Sequence, residues 1–371
     1  MIKPKILSLF TGGGFLDMGF EQAGFETVFT NEFDTDFATL YKAGMSSWAS
    51  SSNLNKEFKI TSTESIASLS PDYIKKNAFP NGTPPLWGII GGPPCQDFSM
   101  NGTKNGFNGN RGKMTVIFFN RVVQLQPSFF LMENVPGLIR NKSSKEQLEQ
   151  IIKNHCSKEY EMNRFVLNAL DYGVPQYRER VFIIGIRKDL LKSQFIKNPK
   201  EEIYNLIFPI PKSKYVNAKK TFDWPYQNKF GENPQQPNSI PIELTVSDCL
   251  ITKEDIDNRI SNIDEYFPLR KNVEEKKLVN EGDTARSSFK RLHRYRYSPT
   301  TCYGNNEVHL HPFENRRISV REALRIQGVP DSYSLPKHIS KTKKFKMIGN
   351  GVPVPLAYNV AITIKMFLYN L

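Results

Sequence analysis

The first thirty residues restrict the fold more than any other stretch of this chain. Residues 6–10 form an apolar run that predicts a buried strand, and a glycine-rich turn over 11–14 separates it from a predicted helix over 15–24. Residues 26–32 predict a second strand that ends in an acid, Glu32. This order is the layout of an adenosine-binding site in an open α/β sheet. We therefore predict an α/β fold with a nucleotide-type site near the N-terminus.

A second constraint lies around Cys95, which follows the sequence Gly-Gly-Pro-Pro at 91–94. The apolar run 86–90 predicts a strand, so Cys95 is expected just past a strand's carboxyl end, where α/β sheets bind ligands. Two prolines fix the backbone and remove two donors before the thiol. Cys95 could be a small buried hydrophobe or an activated thiolate. The polar residues Gln96, Asp97 and Ser99 favour the thiolate.

Another acid follows the predicted strand 128–132, and this acid is Glu133. Further along, Gln176, Arg178 and Arg180 alternate just before the apolar strand 181–186. A strand would point these three side chains to one face. The array is either part of a site or a surface stripe of ion pairs. Helices are predicted over 118–125 and 146–154, and a strand over 164–168.

The chain has 371 residues, a length that favours two domains. A net charge of +13 and a pI near 9.4 indicate either a polyanionic partner, nucleic acid first, or a basic surface that binds nothing. The four cysteines show no disulfide or zinc spacing. With no apolar stretch of about 18 residues expected, we predict a protein that is neither exported nor membrane-spanning.

Regular patterns become scarce after Arg187, and residues 189–315 predict a second, smaller, irregular domain. Within it, residues 290–297 interleave basic and aromatic side chains, which suits phosphate contact with stacking or a solvated basic face. His309 and His311 lack ligand spacing and are predicted to be surface histidines, so no metal is expected. Loops are predicted over 46–63 and, as a polar flap, over 101–111. Helices are predicted after Ser319 and over 355–368.

Taken together, these stretches resemble the DNA (cytosine-5) methyltransferases of restriction systems over nearly the whole chain. The similar segments stand in family order: 10–14 for the S-adenosylmethionine turn, 94–96 (Pro-Cys-Gln) for the nucleophile, 133–135 (Glu-Asn-Val) for the acid, 176–180 (Gln-Tyr-Arg-Glu-Arg), 321–330, and 349–350 (Gly-Asn). A nicotinamide oxidoreductase, suggested by the glycine turn alone, is disfavoured because the full G-x-G-x-x-G pattern is absent.

The resemblance implies a Rossmann-like S-adenosylmethionine-dependent methyltransferase domain with a second, smaller, irregular target-recognition domain. The implied boundaries are 1–188 for the catalytic domain, 189–340 for target recognition and 341–371 for a C-terminal segment that returns to the catalytic domain. The residues implied to bind the cofactor S-adenosylmethionine are Phe10, Gly12, Gly14, Glu32, Phe33, Ile60, Asn350 and Val352. The chain departs from the family at Lys59, where an acid usually reads the adenine amino group.

The resemblance also implies the catalytic residues and the partner. Cys95 is the nucleophile and Glu133 the acid, while Arg180 binds O2 of the base and Arg178 orients Glu133. The residues implied to contact the substrate are Pro94, Gln96, Ser99, Asn101, Arg111 and Gln176. The expected partner is double-stranded DNA, bound by a monomer in the cytoplasm at the nucleoid, with a companion restriction endonuclease. An RNA cytosine-5 methyltransferase and a non-catalytic nucleic-acid-binding regulator remain as alternatives.

Overall fold

A computed structural model describes residues 3–54, 56–94, 112–197, 203–269, 279–301, 303 and 308–371. Its strands form one six-stranded sheet. Their bounds are β1 Lys5–Leu9, β2 Glu26–Asn31, β3 Trp87–Gly91, β4 Phe129–Asn134, β5 Tyr160–Asn168 and β6 Glu179–Arg187. Each of the strands predicted from the sequence is present, with ends shifted by a few residues. The predicted α/β fold class is confirmed.

The sheet has the order β2-β1-β3-β4-β6-β5. Strands β1 to β4 run parallel, whereas β6 is antiparallel to β4 and β5 is antiparallel to β6. The carboxyl ends of β1, β2, β3 and β4 therefore meet at one edge, and the start of β6 joins them there, since Asn134 pairs with Val181. By "sheet edge" we mean this end of the sheet, where the carboxyl ends of β1 to β4 meet, and not an edge strand. Open α/β sheets bind their ligands at this end.

Helices cover both faces of the sheet. Their bounds are α1 Phe15–Gln22, α2 Thr35–Ser51, α3 Pro71–Ala78, α4 Gly112–Leu125, α5 Gly137–Arg140, α6 Lys142–His155, α7 Ala218–Thr221, α8 Lys253–Asp257, α9 Val320–Ile326, α10 Lys341–Asn350 and α11 Val354–Tyr369. Short 3₁₀ helices span Ala169–Tyr172, Lys188–Leu190, Ser193–Phe195, Ile242–Leu244 and Val246–Cys249.

The predicted loop over 46–63 is wrong for its first residues, because α2 continues to Ser51. The Asp34 side chain caps α2, and Tyr41, Met45 and Trp48 recur on its buried face at helical spacing. The polar residues of 46–51 lie mostly on the opposite face. Serine-rich composition therefore concealed an amphipathic helix, whose apolar stripe outweighs the weak helix propensity of serine.

The final helix belongs to the core of the first domain. Stretch 341–369 is long and apolar enough to cross a membrane by composition, which contradicts the expectation that no such stretch exists. Its most apolar window is 56% buried, and α11 packs on α1. The side chains of Leu356, Val360 and Ile364 are fully buried in the same cluster as Phe20 of α1. This burial accounts for the apolar composition within the protein's own fold.

The region after β6 does not have a core of its own throughout. Leu292, Ile318 and Tyr333 lie in the same apolar cluster as Phe15 and Met18 of α1. A smaller cluster around Tyr297 and Leu244 packs separately. The part of 189–340 that follows residue 290 is thus joined to α1 and α2 by shared packing, and the domain boundary at 340 stays a prediction.

Two expectations for this region are wrong. Arg291 is fully buried and donates to the carbonyls of Val279 and His311, and Arg294 forms an ion pair with the buried Glu281 at 2.9 Å. These arginines bind the protein's own backbone and acid, so they are neither phosphate ligands nor a solvated face. Arg296 keeps partial exposure.

His309 and His311 are also buried, at 2% and 1% exposure, so they are not surface histidines. Burial lowers the pKa of His309 to about 3 and that of His311 to about 4, which keeps both rings neutral. Over the described part of the chain, no group of three metal-ligating side chains occurs.

Candidate functional site at the sheet edge

Glu133 and Arg180 form a buried ion pair at the sheet edge. Glu133 is the second-last residue of β4 and Arg180 lies at the start of β6, and the Arg180 Nε lies 2.8 Å from the Glu133 Oε1. Each residue is 7% exposed. Burial raises the pKa of the Glu133 carboxyl, and the charges of Arg180 and Arg178 oppose that rise. The result is a carboxyl that holds a proton to higher pH than a solvated glutamate and is fixed in one orientation.

The turn after β3 approaches this carboxyl closely. A Cβ atom on Gly92 would lie 2.8 Å from the Glu133 Oε2, so a larger residue there would displace the acid. The Asn134 side chain donates to the Pro93 carbonyl at 3.1 Å and accepts from the Val135 amide at 2.9 Å. Asn134 thereby ties the end of β4 to the prolines that precede Cys95. Sequence reasoning missed this tie, although the polar side chain next to Glu133 signalled it.

Pro94 is exposed and is the last residue described before Cys95. The predicted site residues Cys95, Gln96, Ser99, Asn101 and Arg111, with the flap over 101–111, lie outside the described residues. Their roles stay predictions. The structure describes two cysteines, Cys156 and Cys249, and both are free and buried. Burial raises the pKa of both thiols.

The side chains of residues 176–180 alternate between buried and more exposed, as the sequence predicts for a strand. Gln176, Arg178 and Arg180 are all buried, whereas Tyr177 and Glu179 between them are more exposed. A surface stripe of ion pairs is therefore excluded. Arg180 is the array member whose guanidinium pairs with Glu133, the orienting contact that the family resemblance implied for Arg178.

Arg178 instead bridges distant parts of the chain. Its guanidinium donates to the carbonyls of Thr301 at 3.0 Å, Gly349 at 2.6 Å and Gly351 at 2.9 Å. It thus links the start of β6 to the segment that carries Asn350. Such multiple backbone contacts by one buried guanidinium satisfy carbonyls that helix ends leave unpaired.

Gln176 lies in the same buried network. Its amide donates to the Ile326 carbonyl at 3.2 Å and accepts from the Thr301 amide at 3.1 Å. The side chain is fully buried. In this arrangement Gln176 contacts the protein itself, and its expected contact with substrate stays a prediction.

The other half of the sheet edge is built by the turn after β1. Phe10, Gly12 and Gly14 all have positive φ, at 57°, 58° and 78°. Glycine takes this conformation without strain, whereas Phe10 takes it at a cost. A Cβ built on Gly12 would meet no atom within 4 Å, so the turn borders open space. This concave backbone at the start of α1 can receive a ligand.

Glu32, just past the end of β2, faces that turn. The Gly12 amide donates to its Oε2 at 2.8 Å and the Asp34 amide donates to its Oε1 at 2.9 Å. Burial raises the pKa of the Glu32 carboxyl. The neighbouring Phe33 ring is 72% exposed. An acceptor and an apolar ring therefore stand beside the open turn, as an adenosine group would need.

The remaining predicted cofactor residues differ in exposure. Ile60 is half-buried, Asn350 is exposed and Val352 is 5% exposed. The Lys59 side chain is largely exposed, and its carbonyl accepts from the Thr30 hydroxyl at 2.7 Å. The segment around Lys59 thus runs beside β2, but the described contacts give Lys59 no role in place of the usual acid.

One contact to the turn comes from far along the chain. The Tyr333 hydroxyl donates to the Gly13 carbonyl at 2.7 Å, and its ring packs on Phe15. No motif in the sequence pointed to Tyr333, because its partner is a backbone carbonyl some three hundred residues away. The region predicted for target recognition therefore helps to shape the turn of the first domain.

Comparison with known proteins decides the family. The model for C-5 cytosine-specific DNA methylases matches residues 4–366. The chain belongs to this family. The predicted methyltransferase activity on DNA cytosine is thereby confirmed at the level of the family, and the glutamate, arginines and glycine turn described above lie within the matched residues.

Named relatives agree with this family assignment, and solved structures share the fold. Type II methyltransferase M.NmeDI of Neisseria meningitidis serogroup C is 37% identical over 372 residues, which cover 99% of this chain and 85% of that protein. M.FnuDI of Fusobacterium nucleatum is 33% identical, covering 97% and 94%. A structure from an E. coli prophage, assigned as a DNA modification methyltransferase, is 26% identical with a TM-score of 0.67 over 100% of both chains. S. pombe Dnmt2, 16% identical with a TM-score of 0.55 over 99% of both chains, shares the fold.

Proposed function

We propose that this methyltransferase transfers a methyl group from S-adenosylmethionine to carbon 5 of a flipped-out cytosine in one short sequence of duplex DNA. The observation that carries the proposal is the buried Glu133 carboxyl, fixed by Arg180 beside the turn that leads to Cys95. A proton donor and a thiol next to each other are what this reaction requires. Membership of the family supports the reaction class.

The chemistry explains why both groups are needed. Carbon 5 of cytosine is a poor nucleophile until the Cys95 thiolate adds to carbon 6 and converts the ring to an enamine. Addition moves negative charge onto N3, where a protonated Glu133 donates a proton or a strong hydrogen bond. The raised pKa of Glu133 suits this role. Arg180, which already orients Glu133, is proposed to bind O2 of the same ring. After the methyl group reaches carbon 5, a base removes the proton from carbon 5, Cys95 is expelled from carbon 6 and the N3 proton returns to Glu133, which restores the aromatic ring and the free thiolate.

The other half of the sheet edge fits S-adenosylmethionine. Open space at Gly12 leaves room against the backbone, Glu32 offers carboxylate lone pairs to ribose hydroxyls, and the exposed Phe33 ring can pack on adenine. Residues proposed to complete the pocket are Phe10, Gly14, Ile60, Asn350 and Val352. The bound molecule supplies a methyl group on a positively charged sulfur. The protein's part is to hold that group against the flipped base.

Duplex DNA is the proposed substrate. The two reacting carbons cannot be reached inside a stacked duplex, so the cytosine must be extruded, as is general for methyltransferases. The net charge of +13 favours a polyanion. Pro94 and the residues at 96, 99, 101 and 111 are proposed to surround the flipped base, and Gln176 to support it from behind. The region over 189–340 is proposed to read the DNA sequence.

The names of the relatives support a proposal for the biological setting. Because they are named type II methyltransferases, we propose that this protein is the protective methylase of a restriction-modification system with a companion endonuclease of the same specificity. We further propose that it acts as a monomer in the cytoplasm, on DNA of the nucleoid.

The test is tritium transfer from labelled S-adenosylmethionine to bacteriophage DNA and to total RNA in parallel. Nucleoside analysis and bisulfite mapping then identify the product. Label as 5-methylcytosine at one short DNA sequence is the expected result. Label in RNA alone would mean that RNA, and not DNA, is the substrate. Binding of S-adenosylmethionine without methyl transfer to DNA or RNA would favour a non-catalytic regulator.

A further inference from the structure

Asp17 is a buried acid that the mechanism above does not use. It lies in α1 beneath the turn 11–14 and is 0% exposed. The Ser8 hydroxyl donates to its Oδ1 at 2.6 Å, and the Tyr41 hydroxyl donates to its Oδ2 at 3.2 Å. Each carboxyl oxygen therefore accepts from one neutral hydroxyl. A carboxyl in such surroundings is costly to bury, so its position calls for a reason.

The two hydroxyls belong to the elements that flank the turn. Ser8 lies in β1, and its hydroxyl also accepts from the Thr11 hydroxyl at 3.2 Å, at the first residue of the turn. Tyr41 comes from α2, and its ring packs so closely on the last residue of the turn that a Cβ on Gly14 would lie 2.6 Å from the ring. Asp17 thus holds both ends of the turn from below.

Charged and titratable groups surround this acid on several elements. Glu21 lies on the same helix and pairs with Lys56, which follows α2, while the Tyr333 phenol approaches from the later part of the chain. Burial is the largest influence on the pKa of Asp17 and raises it, whereas the hydrogen bonds from Ser8 and Tyr41 lower it; Glu21 raises it and Lys56 lowers it, and the resulting pKa is about 7. Asp17 therefore changes charge near neutral pH.

The charge state alters the contacts. An ionised carboxylate accepts hydrogen bonds at both oxygens, so it holds both hydroxyls at once. A protonated carboxyl must donate its own proton, and one of the two hydroxyls then has to turn round and accept. The protonated form consequently holds one flank of the turn less firmly than the ionised form.

We propose that Asp17 is a positioning residue for the cofactor, whose bonds to Ser8 and Tyr41 hold the turn 11–14 in the shape that binds S-adenosylmethionine. This inference rests on the cofactor site of the proposed function. Because Asp17 acts on binding and touches no reacting atom, its loss weakens the affinity for S-adenosylmethionine and leaves kcat at saturating cofactor nearly unchanged. The affinity also increases as the pH rises through neutrality.

Equilibrium dialysis with tritiated S-adenosylmethionine over pH about 6 to about 8.5 tests this proposal. The variants are Asp17→Asn, Tyr41→Phe and Ser8→Ala. The matched control is Asp171→Asn. Asp171 lies in the 3₁₀ helix after β5, and its carboxyl also accepts a hydrogen bond, from the Ala218 amide. We expect Asp17→Asn to raise Kd about fivefold at pH 8 and to abolish its pH dependence. The control should follow the wild type in affinity and in pH dependence.

Each other outcome is decisive. Wild-type affinity and pH dependence in Asp17→Asn would overturn the positioning role while the proposed function stands. Equal losses of affinity and kcat would mean a general structural role and would also overturn it. If Asp17→Asn does not fold, Tyr41→Phe and Ser8→Ala must each weaken binding, and unchanged affinity in either would overturn the proposal. A wild-type chain that binds no S-adenosylmethionine would overturn the cofactor site itself.

Discussion

The two halves of the sheet edge use the same kind of residue in different ways. Glu133 is the second-last residue of β4 and Glu32 follows β2, and burial raises the pKa of both carboxyls. Glu133 is held by a side chain, the Arg180 guanidinium, whereas both oxygens of Glu32 accept backbone amides of Gly12 and Asp34. A strand end therefore determines where an acid stands, and its partners determine what the acid does.

The difference teaches how one fold separates two tasks. In the proposed mechanism Glu133 gives up a proton, which needs surroundings in which the neutral carboxyl survives, and burial supplies them. Glu32 is proposed to accept hydrogen bonds from ribose hydroxyls, which requires only a fixed position, and two backbone amides provide it. We call the first the base half and the second the cofactor half.

The largest effect is expected in the base half from Cys95→Ser. A serine hydroxyl is a far weaker nucleophile than a thiolate, so methyl transfer to DNA should fall to background in the tritium assay. Binding of S-adenosylmethionine, a property of the cofactor half, should remain. Cys156→Ala, which alters a buried free cysteine, is the control and should retain turnover. Methyl transfer by Cys95→Ser at the wild-type rate would show that Cys95 is not the nucleophile.

Glu133→Gln should follow, with a loss of roughly 10²- to 10⁴-fold in kcat, because an amide cannot donate a proton to N3 as the acid does. DNA affinity, measured by gel shift, should change little. Glu161→Gln is the matched control, since Glu161 pairs with Lys188 near the opposite edge of the sheet. Similar losses of kcat and DNA affinity would point to a structural role for Glu133.

Glu32→Gln should act on the cofactor half alone. Losing a charged acceptor to the ribose costs about 1.5–3 kcal/mol, which corresponds to a rise of roughly 10- to 100-fold in KM for S-adenosylmethionine. We expect kcat at saturating cofactor to stay near the wild-type value. Glu26→Gln, at the other end of β2, should leave KM unchanged. A fall in kcat without a change in KM would contradict the separation of tasks.

The pH dependence of kcat should distinguish the halves further. In the proposed mechanism the protonated form of Glu133 is the active one. Because burial raises the pKa of this carboxyl, we expect activity to persist above the usual range for glutamate. Above that raised pKa, kcat should fall by about tenfold per pH unit as the acid ionises. Steady-state rates at saturating DNA and cofactor measure this fall of kcat at high pH, which Glu133→Gln should not show. A kcat that keeps rising at high pH would refute the role of a protonated Glu133.

The smallest effect is expected from Tyr333→Phe. This change removes one neutral hydrogen bond, to the Gly13 carbonyl, and keeps the ring that packs on Phe15. A loss of about 1 kcal/mol corresponds to a rise of about fivefold in Kd for S-adenosylmethionine. Dialysis at one pH is sufficient. Unchanged affinity would show that the distant tyrosine does not shape the cofactor half.

The sequence predicted the sheet and both halves of its edge well, because local signals carry them. Apolar runs bounded by glycine and proline mark the strands, and Glu32 and Glu133 follow such runs directly. The facing of Gln176, Arg178 and Arg180 followed from the period of a strand. Each of these signals depends on neighbours within a few residues.

Predictions failed where the partners lie beyond the few residues that a local pattern covers. Residues 290–297 suggest a basic surface, yet Arg291 and Arg294 are buried, and two of their acceptors, the Val279 carbonyl and Glu281, lie 12 and 13 residues away. The tie from Arg178 to Gly349, across 171 residues, has no local pattern either. A charged side chain gives no sign of a distant backbone acceptor, so sequence periodicity cannot tell a buried guanidinium from a solvated one.

The packing of α11 on α1 has a consequence for how the protein is made. The Lys365 ammonium donates to the Ala23 carbonyl, across 342 residues of sequence. On the ribosome the first helix is synthesised long before α11, so its apolar face has no permanent cover until α11 emerges. A nascent chain that still lacks α11 therefore exposes this face to chaperones and proteases.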